Sequence, residues 1–291
     1  VETELFKTFL EVEKTRHFGR AAENLYLTQA AVSSRIRQLE NLFGVSLFNR
    51  YRNNINLTPA GERLKPHALA VVTALSHAMQ DAALTEKEGQ QIAIGGTPNL
   101  WDSLLQEYLH SLYRQYLGIA LKTVVQDREA LTQQLLSRVL DMAVMFDPPK
   151  VDELRVHNIH QMDLVMVSSY ADSHFNNVFE HGYIQIDWGS SYNLQHAQIV
   201  GQKVVPIMHS STGRIALDFM LEHGGVAFLP ESTVEPYIQS GGLFRVAAAP
   251  TVKLEVYMTY LKNSEKLETF EQIVELFSSM TPKSVLTAKS N

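Results

Sequence analysis

The pattern of apolar and polar positions divides the chain into two textures. Through residue 85 the apolar positions recur at helical spacing. Leu5, Phe9 and Val12 share one face of a helix over residues 2–15, and "RAAENL" from Arg20 predicts a helix of about two turns. In "TQAAVSSRIRQLENLFG", residues 28–44, Val32, Ile36, Leu39 and Phe43 fall within about 40° of one another on a helical wheel. The opposite face carries Ala30, Ser33, Ser34, Arg37 and Asn41, small at its start and polar after it. Thr28 is an expected N-cap and Gly44 a C-terminal stop. The runs Leu47–Phe48 and Ile55–Leu57 flank "NRYRNN", which predicts a β-hairpin wing with a basic tip. Thr58 and Pro59 open a further helix to about residue 85, with Leu64, Ala68, Val71, Leu75 and Ala82 on its apolar face and Pro66 in its interior. A helix this long on so small a domain finds a partner for that stripe in a second copy of itself.

Beyond "EKEGQQ" strands and helices alternate. Strands are expected at 91–95, 119–125, 141–146, 163–169, 182–187, 203–208, 225–230 and 254–260, and helices at 98–116, 128–138, 212–223 and 264–280. This alternation predicts an α/β domain of about 200 residues with largely parallel sheets.

Charge sharpens the division. The formal net charge of −6 over 291 residues argues against a nucleic-acid partner for the chain as a whole. Residues 1–60, however, hold eight Lys and Arg against six acids, net +2, and the remainder carries 17 against 25, net −8. The absence of cysteine excludes disulfides, thiolate metal sites and thiol redox switching. No apolar run of 18 residues appears and the N-terminus has no signal-peptide pattern, so a cytoplasmic protein without a membrane partner is expected. Val1 stands where an initiator methionine would, and little is expected in front of it.

From Phe18 to Gly61, "FGRAAENLYLTQAAVSSRIRQLENLFGVSLFNRYRNNINLTPAG" resembles the N-terminal domain of the LysR-type transcriptional regulators along its whole length. Ala21, Ala22, Leu25, Thr28, Gln29, Ala31, Val32, Ser33, Ile36, Leu39, Glu40, Gly44, Leu47, Phe48, Arg50, Leu57, Thr58 and Gly61 carry the match. "LDMAVMF" and "LEHGGVAFLPESTVEPYIQSGGL" resemble the family's effector-domain signatures more loosely. Within the family, "TRHFGRAAENLYLTQAAVS", "RYRNNI" and "IDWG" are most similar to the subgroup that represses the flagellar master operon.

The resemblance implies a winged helix-turn-helix over residues 1–58, a linker and dimerisation helix over 59–88, and an effector domain over 89–291. That domain would have two lobes like periplasmic binding proteins, 89–161 with 262–291 and 162–261, crossed by strands near 163–167 and 256–260. The implied function is sequence-specific binding of double-stranded DNA as a homodimer or homotetramer, modulated by a small anionic effector, with no cofactor and no catalysis.

On this reading Thr28, Gln29, Ala30, Ser33, Ser34 and Arg37 meet the major groove, where small side chains admit the backbone and Gln or Arg read base edges. Arg50, Arg52 and Asn53 reach phosphates or the minor groove from the wing, and a structural role for Arg50, bonding carbonyls at the end of the third helix, stands equally beside that. Ala30 and Ser34 depart from the family, which often has proline and a long basic residue there, and base preference shifts accordingly. For the effector, Thr97, Pro98 and Asn99 form one expected anion-receiving helix start and Ser210, Ser211 and Thr212 a second, with Trp188 and Ser190 as a wall. Simple helix capping explains each of these residues alone. His157 and His160 lack a third partner at metal-ligand spacing, and no G-x-S-x-G elbow surrounds Ser210. Two alternatives stand beside the regulator: a small-molecule-binding protein that keeps the helix-turn-helix for docking, and an enzyme working in the two-lobed cleft.

Overall fold

The computed structural model describes residues 3–51, 54–83, 91–116, 119–200 and 204–280, with side chains left aside at 50, 51, 54, 77 and 80–83. The chain divides near residue 90 into two compact units, residues 136–139 being grouped with the first.

The N-terminal unit is three short helices, a hairpin and a long helix. Helix α1 (Thr3–Thr15) buries Leu5, Phe9 and Val12 against α2 (Phe18–Asn24) and α3 (Gln29–Phe43). α2 begins two residues earlier than the sequence predicts because His17 caps it, its Nδ1 accepting the N–H groups of Gly19 and Arg20 at 3.0 and 3.2 Å. α3 opens on Thr28, whose hydroxyl accepts the Ala31 N–H, and closes on Gly44 at φ +68°, as expected. Strands β1 (Phe48–Tyr51) and β2 (Asn54–Leu57) pair antiparallel as the wing. The Glu40 carboxylate accepts the Leu47 N–H at 2.9 Å and so fastens the wing to α3.

Helix α4 (Pro59–Ala83) runs through Pro66 without interruption. Its buried face is Leu64, Ala68, Val72 and Leu75; Val71, expected inside, is 44% exposed, as is Leu69, and Met79 is 64% exposed. The face toward α1 steps by four from Leu64 through Ala68 to Val72, which turns Val71 outward.

The second unit is built on a seven-stranded sheet ordered β10-β6-β11-β5-β3-β4, with β9 also on β6. In chain order its elements are β3 (Gln91–Gly96), α5 (Pro98–Leu100), a π turn at Trp101–Leu105, α6 (Gln106–Gln115), β4 (Ala120–Val125), α7 (Arg128–Leu136), β5 (Met142–Met145) and β6 (Leu154–Ser168). There follow a 3₁₀ turn at Val178–His181, β7 (Ile184–Ile186), α8 (Ser190–Val200), β8 (Met208–Ser210), α9 (Gly213–His223), β9 (Val226–Pro230), α10 (Glu231–Gln239), β10 (Phe244–Arg245), β11 (Val252–Leu261) and α11 (Leu267–Ser279).

The expectation of largely parallel sheets holds for β3, β4 and β5 and for the separate β7–β8 pair. It fails for β6, β9, β10 and β11, which pair antiparallel. β6 and β11 are the reason: each runs the length of the unit, and a chain that crosses and returns must do so in opposite directions. Both strands are longer than expected and shift register by a bulge at Val256/Tyr257. The strand expected at 203–208 is reduced to Met208–Ser210, with 203 outside the described residues, and helices α8 and α10 were not expected.

Candidate DNA interface and effector site

The exposed surface of α3 is the first candidate site. Thr28, Gln29, Ala30, Ser34 and Arg37 are exposed and Ser33 is half-buried, while Val32, Ile36 and Leu39 are fully buried. Arg37 has no hydrogen-bond or ionic partner among the described residues, whereas Arg35 lies 3.6 Å from Glu4 and donates to Thr8 Oγ1 at 3.3 Å. The same helix therefore commits one arginine to holding α1 and leaves the other to solvent.

Tyr26 was missed in the sequence. It sits in the turn between α2 and α3 at φ +54°, 97% exposed, which is an unusual place for a large aromatic side chain. Its position between Leu25 and Leu27, both half-buried, is the signal that could have singled it out. The Arg50 side chain and both Arg52 and Asn53 lie outside the described residues, so the expected basic tip is known only by its hairpin frame.

The second candidate is a cavity of about 460 Å³ between the ends of β3 and β5 on one side and α8 on the other. Thr97, Pro98, Asn99, Trp188, Ser190 and Ser211 all line it; Ser210 and Thr212 do not. The structure thus gathers six of the eight expected residues, but it does not leave them open to an anion.

Asp147, just past β5, reaches the start of α8. Its Oδ2 accepts the N–H groups of Ser190 and Ser191 at 2.8 and 3.3 Å, and its Oδ1 accepts the Ser191 hydroxyl. Gly189 makes this possible, because at φ +95° a Cβ there would lie 2.7 Å from Asp147 Oδ2. Asp127 likewise takes the Ala130 N–H at 2.8 Å, and Asp187 takes that of Gly189 at 3.1 Å. Carboxylates of the chain itself already occupy the positive ends of these helices.

The two expected anion receptors are also altered. The helix after Thr97 is only three residues long before it opens into the π turn, and the Thr97 hydroxyl makes no capping bond. That Oγ1 is buried with no hydrogen-bond partner. At the other start, Thr212 caps α9 by accepting the Ile215 N–H, and Ser210 Oγ donates to the Thr212 carbonyl at 2.8 Å. The Gly213 N–H goes to Asn99 Oδ1 at 2.8 Å. Asn99 Nδ2 donates in turn to the carbonyls of Asp187, at 2.8 Å, and Ser211, at 3.4 Å. With the residue 6% exposed, Asn99 is a rivet across the cavity's two sides more than a free ligand group.

Trp188 is 2% exposed and donates its indole N–H to the Phe228 carbonyl, so it is core that also forms a wall. The cavity's charged lining is Asp127, Glu129, Asp147 and Asp187 against Arg128, whose guanidinium is engaged by Glu129 at 2.8 Å. Such a lining repels a bare anion and suits a ligand that offers hydrogen-bond donors.

The histidines do structural work. His157 stacks on Tyr260 and exchanges a hydrogen bond with its hydroxyl at 3.0 Å. His196 lies against Tyr183, Tyr192 and Phe228, and burial lowers its pKa. Among the described residues no group of three His, Asp or Glu could hold a metal ion, and no helix is long and apolar enough to cross a membrane.

Known proteins place this architecture. Residues 3–62 match the family model described as bacterial regulatory helix-turn-helix protein, lysR family, and residues 85–281 match the LysR substrate binding domain. The HTH-type transcriptional regulator HdfR of Yersinia enterocolitica is 37% identical over 284 residues, covering 94% of this chain and 96% of that protein. HdfR of Yersinia pestis is 37% identical over 285 residues with the same coverage.

Among solved structures, the LysR family regulator CbnR superposes with a TM-score of 0.73 at 15% identity, over 96% of this chain and 100% of that one. Vibrio fischeri DarR, solved in complex with DNA, gives 0.60 at 20% identity over 97% and 99%. These last two likenesses establish the fold. Two family models that together span most of the chain, and relatives above 30% identity along nearly all of it, settle the rest: the chain belongs to the LysR family of transcriptional regulators.

Proposed function

We propose that α3 reads the operator through Gln29, Ala30, Ser33, Ser34 and Arg37, with Thr28 setting its start and Tyr26 flanking it. The observation that carries this is the exposed face itself: its side chains are small or polar and Arg37 is uncommitted, while Val32, Ile36 and Leu39 on the opposite face are fully buried and only Phe43, at the helix end, is 44% exposed. Small residues let the helix backbone approach base edges, and an unpaired arginine is available to a guanine edge or a phosphate. Arg50, Arg52 and Asn53 add backbone contacts from the wing.

The domain plan is 1–58 for DNA binding, 59–88 for dimerisation through the exposed Leu69, Val71 and Met79, and 89–291 for the effector, in two lobes sharing β6 and β11. The protein acts in the cytoplasm as a homodimer or homotetramer and is not an enzyme. An effector in the 460 Å³ cavity meets the unpartnered Thr97 hydroxyl and shifts the oligomer between two arrangements by binding one better than the other.

The test is retention of fragmented genomic DNA by the purified protein, with sequencing of what is held. A shared, roughly palindromic site is expected, with Arg37→Ala weakening it by about 1–3 kcal/mol. A flagellar operon promoter among the retained fragments would extend the subgroup resemblance to the target. Salt-sensitive retention without a common sequence would defeat the groove assignment. Thr97→Val should leave operator binding intact and weaken the effector response.

A further inference from the structure

A second cavity, of about 320 Å³, lies between α9, α10, the end of β9 and the π turn, open to solvent on one side. Asn99 and Trp188 line both cavities, and the remaining lining residues differ. Its interior is apolar, built from Trp188, Leu217, Leu229, Pro230, Pro236 and Tyr237. The volume is at the low end for ligand cavities, which run to roughly 300–1,000 Å³, and matches a molecule of amino-acid size.

Asn99, Ser103 and Ser240 in that lining are spent on internal hydrogen bonds, and three further polar groups, on Thr233, Asp102 and Arg214, face the cavity. Thr233 Oγ1 is buried without a hydrogen-bond partner. Thr8, Thr15 and Thr132, in other helices, each donate to the carbonyl four residues back, and Thr233 does not. Asp102 has no hydrogen-bond or ionic partner among the described residues, and burial raises its carboxyl above the ordinary range while Arg214 pulls it down. Arg214 spends its Nε on Asp218 at 3.1 Å and also lines the cavity. A cation and an anion that face one cavity without pairing form a rim complementary to a molecule carrying both charges.

We propose that this cavity is a second ligand site for a free α-amino acid with an apolar side chain, its ammonium toward Asp102, its carboxylate toward Arg214 and its side chain among Leu217, Leu229 and Tyr237. The Thr233 hydroxyl then gains the partner it lacks. A simple carboxylate would face Asp102 unpaired and a simple amine would face Arg214, so neither matches the rim. This site is additional to the one containing Thr97, and its ligand need not be the same.

The experiment is calorimetric titration of the full chain with L-phenylalanine and L-leucine, beside 2-phenylethylamine, 3-phenylpropionate and glycine. Saturable binding of an apolar amino acid is expected, with each truncated probe at least tenfold weaker. Asp102→Asn and Thr233→Val should each weaken binding at least fivefold with an unchanged melting temperature, and Leu217→Trp should fill the cavity and abolish it. Thr97→Val should have no effect on this titration. Absence of amino-acid binding to the wild-type chain, or binding untouched by both Asp102→Asn and Thr233→Val, overturns the proposal. So does binding lost in Thr97→Val and kept in Leu217→Trp, which would move the ligand to the larger cavity. Operator retention is read separately, so failure here leaves the regulator assignment standing.

Discussion

Both units begin helices with the same local chemistry, an oxygen acceptor over free backbone N–H groups, and use it to opposite ends. In the N-terminal unit Thr28 caps α3 with its own hydroxyl and leaves the first turn in solvent, flanked by small residues. In the second unit Asp147 reaches from the end of β5 to cap α8, and Asn99 reaches from α5 to the first N–H of α9. A cap supplied from within the helix keeps the end available to a partner. A cap supplied from elsewhere in the fold converts the end into a fastener, and whatever a ligand does there it must do around an internal bond.

The sharpest way to separate the two units is to break only one of them. Gly61, in the first turn of α4, lies so close to the wing that a Cβ would fall 2.3 Å from the Leu47 carbonyl oxygen and 2.9 Å from Leu57 Cδ2. Backbone cannot yield as a flexible side chain can, so Gly61→Ala is expected to cost about 1–3 kcal/mol and to displace the wing. Operator binding should be lost nearly completely while amino-acid or effector titrations are unchanged. Retained operator affinity would mean the wing's seat on α4 is not needed to present α3.

The next largest effect falls on the fasteners of the second unit. Asn99→Ala removes three hydrogen bonds at once and leaves the Gly213 N–H, in a buried residue, without its acceptor, a loss of about 1–3 kcal/mol. Amide exchange should accelerate at the start of α9 and stay slow in α3. If exchange is unchanged, Asn99 is not what joins the two sides of the cavity.

What the sequence disclosed follows the same division. The chemistry of α3 is local: Thr28, the apolar stripe and the small opposite face lie within one helix, so periodicity and capping rules reach them directly. The Thr97, Trp188, Ser190 and Ser211 grouping was also legible, through resemblance. The closing of those helix starts was not, because Asp147 stands 43 residues from Ser190, and Asn99 114 from Gly213. No window of the chain contains both partners. The long strands β6 and β11 were undercut for a related reason: residues 154–162 alternate buried and exposed positions unevenly, with a bulge where β11 pairs them. Val71 shows the limit of periodicity itself, since a stripe of five apolar positions does not say which of them face α1.

The smallest expected effect is on acid stability, and it belongs to the second unit. Burial lowers the pKa of His196 and of His160, the latter against the opposing pull of Asp163 and Glu255. A histidine whose folded pKa is depressed takes up its proton more readily when unfolded. It therefore contributes stability that is complete above the unfolded value, near 6.5, and is lost as pH falls through the folded value. Burial alone lowers the His196 pKa: its ring stacks on Tyr183, which covers it, and its Nε2 lies 2.7 Å from the Tyr183 hydroxyl. Burial raises that phenol to about 12, so it keeps its proton throughout this range; in the tautomer whose Nε2 carries no proton the hydroxyl donates to the ring, and protonating the ring removes that acceptor. The melting temperature of the second unit should fall between pH 7.5 and pH 5, and His196→Gln, which keeps an acceptor and cannot be protonated, should shrink that fall. An equal fall in the variant would assign the acid sensitivity to His160 instead.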